Sequence, residues 1–181
     1  VAEASKVEGV LTGKSTERLR ERFQHLLESH RGIVFKVANT YCRHAEDRRD
    51  LAQEICTQVW KAFPTWDEAR AFSTWMYRIA LNVAISFVRA GDARRMVAID
   101  DIDEEACHDG DAEREADDGV RVLYRFIGLL DPLDRALLLL YLEERSQREI
   151  ADILGISETN VATKIGRLKQ RLRDGIAPRA P

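Results

Sequence analysis

One stretch of the chain carries residue types suited to nucleic acid at the spacing of a helix face. Asn160, Thr163, Lys164, Arg167 and Arg171 recur at intervals of 3, 1, 3 and 4, one side of an α-helix. The cations suit phosphate oxygens, and the amide and hydroxyl suit base edges. Ser157 and Thr159 at the start of that helix and Lys169 along it complete the candidate set. Between Ser157 and Arg173 stand five basic residues and one acid, Glu158. On the opposite side Val161, Ile165, Leu168 and Leu172 form an apolar stripe, so the segment has an inner and an outer face.

The residues just upstream predict how that helix is placed. Ser146-Gln147-Arg148-Glu149 has the form of a capping box, in which Ser146 and Glu149 each satisfy a free backbone N–H at a helix start. Ile150, Ala151, Ile153 and Leu154 give a short helix its apolar face. Gly155 ends it in a left-handed turn, Ile156 plugs the corner, and Ser157 caps the next helix. This is the pattern of a helix-turn-helix whose second helix enters a major groove. Charge alone would fit a solvated face on an ordinary helical hairpin. The capping box, the glycine turn and the two-faced second helix favour DNA.

Along the rest of the chain apolar residues keep helical spacing and none alternates over the length of a strand, which predicts an all-α fold. Leu19, Phe23, Leu26 and Leu27 open the pattern from Thr16, followed by Ile33, Val34, Val37, Ala38 and Tyr41. Leu51, Ile55, Val59 and Phe63 form a stripe that stops at Pro64. Trp75, Ile79, Val83 and Phe87 form another, with Ser73 or Thr74 as N-cap and a stop at Gly91. Later, Val120, Leu123, Ile127 and Leu130 precede Asp131-Pro132, the N-cap and first residue of a helix through Tyr141. The expected organisation is a loose leader over 1–15, a helical bundle over 16–91, an acidic flexible linker over 92–118, a helix-turn-helix domain over 119–175 and a tail over 176–181.

The 181 residues carry a formal net charge of −3, which at first sight disfavours a nucleic-acid partner. Resolved along the chain, the count is +3 over 1–91, −9 over 92–118 and +3 over 119–181. Two basic blocks flank an acidic strip too poor in apolar residues to offset its ordering entropy. No apolar run approaches the ~20 residues of a membrane span, and the first residues have no signal-peptide core. The cysteines, Cys42, Cys56 and Cys107, are odd in number and scattered, and Cys42/His44 with Cys107/His108 lack metal-ligand spacing. No catalytic triad, metal motif or phosphate-binding glycine loop is present, so neither an enzyme nor a cofactor is expected.

Two further motifs decide among the many proteins that use a helix-turn-helix. Asp50-Leu51-x-Gln53-Glu54-Ile55 followed by Trp60, and Phe72-Ser73-Thr74-Trp75-Met76-Tyr77-Arg78-Ile79-Ala80-x-Asn82, resemble region 2 of extracytoplasmic-function sigma factors, the group IV members of the sigma-70 family. The helix-turn-helix resembles their region 4. The resemblance spans roughly 18–89 and 120–173 and implies an alternative sigma factor, the promoter-specificity subunit of bacterial RNA polymerase, working in the cytoplasm and on the nucleoid when in holoenzyme. It implies core polymerase as partner, through the clamp helices of the largest subunit and the flap of the second-largest, together with promoter DNA and an anti-sigma factor. Asp47, Asp50, Gln53, Glu54 and Gln58 would dock on the polymerase. Family members often carry a continuous acidic run where this chain reads Asp47-Arg48-Arg49-Asp50, a branch variation or a weakened docking row.

By the same resemblance, the −10 element falls to the loop 63–72 and the helix after it. Arg78, Asn82, Ser86 and Arg89 make one polar stripe. Thr65, Trp66 and Asp67 are the candidate pocket for an extruded base, with Trp66 either stacking on DNA or serving as core. Asn160, Thr163, Lys164 and Arg167 would read the −35 element, while Lys169 and Arg171 reach the backbone. The linker would thread toward the polymerase active centre, as an electrostatic mimic of RNA or as a plain spacer. The alternative for the whole chain is a stand-alone DNA-binding regulator, for which the first block is superfluous.

Overall fold

A computed structural model describes residues 2–97 and 126–176, with side chains from 16–91 and 126–174. Helices α1 (Ala2–Ser29), α2 (Arg31–Tyr41) and α3 (Ala45–Ala62) are followed by a 3-10 turn, Phe63–Thr65, and by α4 (Phe72–Val97). Then come α5 (Pro132–Leu142), α6 (Gln147–Leu154) and α7 (Glu158–Ile176). No strand occurs among the described residues, and the all-α expectation is met.

Most boundaries follow from local chemistry. Asp131 caps α5, its carboxylate accepting from the N–H groups of Leu133 and Asp134, and Pro132 supplies a first-turn residue with no N–H to lose. Both halves of the Ser146/Glu149 capping box are made, and Gly155 closes α6 at φ 68°, the conformation that costs glycine nothing. Three boundaries differ from expectation. Residues 2–15, expected to be loose, continue α1; Ala, Glu, Lys and Leu there favour helix without needing an amphipathic pattern. Helix α4 starts at Phe72, ahead of Ser73 and Thr74, and runs through Gly91 to Val97, because Gly91 keeps a negative φ and costs only propensity. The acidic strip from 98 onward, with Cys107 and His108, lies outside the described residues.

Helices α2, α3 and α4 pack on one another around Val37, Leu51, Ile55, Val59, Met76, Ala80 and Ala84, each wholly buried. Helices α5, α6 and α7 do the same around Ala136, Leu137, Leu140, Ile150 and Val161. One buried cluster joins the two groups, because α4 rests on α5 and α6, and α2 on α5. Polar contacts stitch that seam. Tyr41 donates its hydroxyl to the Pro132 carbonyl at 2.5 Å, and Lys36 pairs with Glu143 at 2.5 Å. Tyr77 reaches the same Glu143 oxygen at 3.4 Å, and the Arg145 guanidinium lies over the Tyr77 ring.

The seam corrects one sequence expectation. The Trp75, Ile79, Val83 and Phe87 stripe was expected to be the inner face of α4, yet all four are only half-buried. The inner faces are Met76, Ala80 and Ala84 together with Tyr77 and Leu81. Helix α4 is apolar around most of its circumference and is covered from two sides, by α2 and α3 and by α6. A single-stripe reading cannot orient such a helix.

Candidate nucleic-acid and polymerase interfaces

Three residues of the half-buried stripe of α4, Ile79, Val83 and Phe87, form the floor of a groove between α3 and α4, of about 610 Å³. Ala62, Ile79, Val83 and Phe87 line it; Glu54 and Gln58 stand on one wall, Asn82 and Ser86 on the other. Residues expected to serve two separate tasks, docking and −10 recognition, thus share one depression. Sequence spacing places each pair on its own helix but carries no signal for how the helices cross. The apolar floor is the part that sequence reading missed. Gln58 donates to Glu54 at 2.7 Å, fixing the first wall as an acceptor-rich edge. Arg78 and Arg89 are exposed on the same stripe as Asn82 and Ser86.

Along α3, Asp50 and Gln53 are exposed and Asp47 is half-buried in the first turn, where a carboxylate complements the helix dipole. The departure at Arg48 and Arg49 has a structural counterpart. Arg48 turns back to donate to the Arg43 carbonyl at the α2–α3 corner, away from the acidic row. Arg49 stays exposed.

The loop after the 3-10 turn is tied down by its own side chains. Thr65 donates to the Ala62 carbonyl at 2.7 Å, and the Asp67 carboxylate accepts from the Ala69 N–H at 3.0 Å. Trp66 lies among aromatic rings: 5.9 Å from Phe63 and nearly parallel to it, 5.2 Å and edge-on from Phe72, and 6.2 Å from Trp75. Arg22 sits over the ring at 5.3 Å, and the indole N–H donates to the Arg70 carbonyl. Arg22 is itself paired with Glu68, which raises its pKa and lowers that of Glu68 through their hydrogen bond.

On α7 the expected inner stripe is found, with Val161, Ile165 and Leu168 buried and Leu172 half-buried. Ser157 accepts from the Asn160 N–H at 3.2 Å, as an N-cap should. Thr159, Asn160, Thr163 and Arg167 are exposed. The other cations along α7 contact groups of the protein itself, Lys164 half-buried and Lys169 and Arg171 at the surface. Lys164 donates to Asp134 at 3.0 Å, Arg171 lies 3.7 Å from the other oxygen of that carboxylate, and Lys169 sits 4.4 Å from the centre of the Tyr141 ring. Asp134 was not singled out from the sequence. Its signal was an acid on α5 three residues before Leu137, in register with that helix's buried residues.

Known proteins resemble this arrangement in both halves. The family described as Sigma-70 region 2 matches residues 26–94, and that described as Sigma-70, region 4 matches residues 121–172, together about two thirds of the chain. The ECF RNA polymerase sigma factor SigW of Bacillus subtilis is 23% identical over 165 residues, covering 85% of this chain and 88% of that protein. The ECF RNA polymerase sigma-E factor of Escherichia coli K12 is 28% identical over 178 residues, covering 91% and 88%. Among solved structures, the sigma factor RpoE in complex with the anti-sigma factor NepR from Bartonella quintana superposes with a TM-score of 0.66 at 16% identity. That superposition covers 91% of this chain and 99% of that one, and it bears on the fold.

Proposed function

Since the chain belongs to the extracytoplasmic-function group of the sigma-70 family, and is thus an alternative sigma factor directing transcription initiation, we propose how its surfaces divide that work. The observation that carries the proposal is the α3–α4 groove, lined by the acceptors of Glu54 and Gln58 from α3 and by the Asn82 amide from α4. Asp47, Asp50, Gln53, Glu54 and Gln58 offer acceptors to basic groups on the polymerase clamp helices. Asn82 and Ser86 face the −10 element across the groove, with Arg78 and Arg89 on flanking phosphates. The half-buried floor between the walls gives an unstacked base an apolar surface to rest on. Thr65 and Asp67 sit on the loop beside this region, and Trp66 anchors that loop.

In the second half, α7 lies in the major groove of the −35 element. Asn160, Thr163 and Arg167 reach base edges, and Ser157 and Thr159 at the helix start approach the phosphate backbone. Arg171 and Lys169 flank that surface. Strand opening is driven by binding free energy, with no covalent step by this chain. The site of action is the cytoplasm, on the nucleoid once holoenzyme has formed; among the described residues no helix is long and apolar enough to cross a membrane. An anti-sigma factor is a further partner, supported by the company that RpoE of Bartonella quintana keeps.

Run-off transcription with core polymerase on a randomised promoter library tests the reading. Asn82→Ala should cut open-complex formation about tenfold, the size of one lost base contact, while polymerase binding persists. Promoter-specific binding by the chain alone, at the affinity of the holoenzyme, would instead favour a stand-alone regulator.

A further inference from the structure

We propose that Asp134 is a positioning residue for −35 reading: it fixes the roll of α7 and withholds Lys164 and Arg171 from DNA. The proposal rests on the promoter reading given above and adds a residue on a different helix. Asp134 sits in the first turn of α5, where Asp131 accepts from its backbone N–H at 3.0 Å, so its starting point is fixed. Its side chain is only 12% exposed. A carboxylate in that setting demands cations, because burial disfavours an unpaired charge. Helix α7 supplies two. Lys164 Nζ lies 3.0 Å from Oδ1, and Arg171 Nη1 lies 3.7 Å from Oδ2.

These cations are seven residues apart, roughly 10 Å along the helix axis. Two contacts at that separation, converging on one fixed carboxylate, set the rotation of α7 about its axis more tightly than the apolar stripe alone. With that rotation set, Asn160, Thr163 and Arg167 face solvent together. Rolling α7 to centre Lys164 on the reading face would carry Thr163, about 100° away around the helix, out of it. The same pairing has an electrostatic consequence. A cation neutralised within the protein releases no counterion from DNA, so Lys164 and Arg171 should be missing from the salt dependence of binding.

The test uses the full chain assembled with core polymerase, and fluorescent promoter duplexes carrying either the preferred or a scrambled −35 element. Affinity is measured against potassium chloride concentration. Asp134→Asn is expected to lower the preferred-to-scrambled ratio about tenfold. It should also steepen the salt slope by about 1–2, at ~0.9 for each phosphate newly contacted. Asp134→Glu, which can still take the pair, should restore both toward wild type. Lys164→Met should lower the ratio and leave the slope in place. The proposal is overturned if Asp134→Asn leaves ratio and slope unchanged, or weakens binding with no change in slope, the signature of a merely structural role. It is equally overturned if Lys164→Met flattens the slope by about one, since Lys164 would then be contacting a phosphate. Should Asp134→Asn fail to give a helical, cooperatively melting protein, Lys164→Met decides alone. A wild-type holoenzyme that cannot tell the two duplexes apart would instead sink the promoter reading itself.

Discussion

Trp66, a candidate DNA platform, is at the scale of one residue already surrounded by partners within the protein. An indole that stacks on bases needs a free face, but here Phe63 lies nearly parallel to the ring and Arg22 sits over it. Its N–H, the other recognition handle, is committed to the Arg70 carbonyl. Trp66→Ala should therefore act mainly through stability, lowering it by about 2–4 kcal/mol in chemical denaturation. Trp66→Phe should keep most of the promoter activity in run-off assays. Loss of promoter opening in Trp66→Phe at unchanged stability would return the ring to the DNA. Cys42 offers a second check at this scale. Burial, with Asp47 adding to it, pushes its thiol up to about 11. The neutral thiol is the unreactive form, so site-resolved alkylation of the native chain near pH 8 should label Cys42 far more slowly than the unfolded chain.

For an element, the short helix α6 depends on its ends. Hydrogen bonds from the Ser146 backbone N–H and hydroxyl hold the Glu149 carboxyl below the usual carboxylate range, with Arg145 contributing less. A folded-state pKa below the unfolded one means stability that is present above the unfolded value and lost as pH falls through the folded value. Glu149→Gln should therefore narrow its stability gap to wild type in acid, below about pH 4. Ser146→Ala should cost about 1 kcal/mol in thermal or chemical unfolding at neutral pH. The caps of α5 and α6 and the inner stripe of α7 were legible in the sequence because each depends on residues within one or two turns. The face of α4 was not, because a helix apolar on every side but its one polar stripe takes its orientation from neighbours distant in the chain. For the same reason sequence spacing puts Lys164 on the same outer stripe as Asn160, Thr163 and Arg167, whereas Asp134, thirty residues upstream, holds it against α5. The groove floor was hidden likewise, since Ile79 and Phe87 are as apolar as any core residue.

Across the whole molecule, the seam between the two helical groups is a small set of named contacts around a shared apolar cluster. Glu143 is its polar centre, facing Lys36 and Tyr77. Lys36 is half exposed, so that ion pair is worth at most about 1 kcal/mol. Combining Glu143→Ala with Tyr41→Phe should expand the chain in small-angle scattering and separate the unfolding of the two halves. A profile unchanged from wild type would place the hold on the apolar cluster alone. If the domains extend over 16–91 and 119–175, limited proteolysis with mass mapping should return protected fragments near those bounds. The shared cluster also bears on how tightly a partner can bind. Any partner that grips both groups in a different mutual placement first has to draw from the fraction of molecules already parted. Its apparent dissociation constant then rises in inverse proportion to that fraction, about tenfold for each 1.4 kcal/mol of seam stability. Mutations at Tyr41 or Glu143, residues outside the proposed DNA and polymerase surfaces, would thereby tune how readily the chain competes for polymerase.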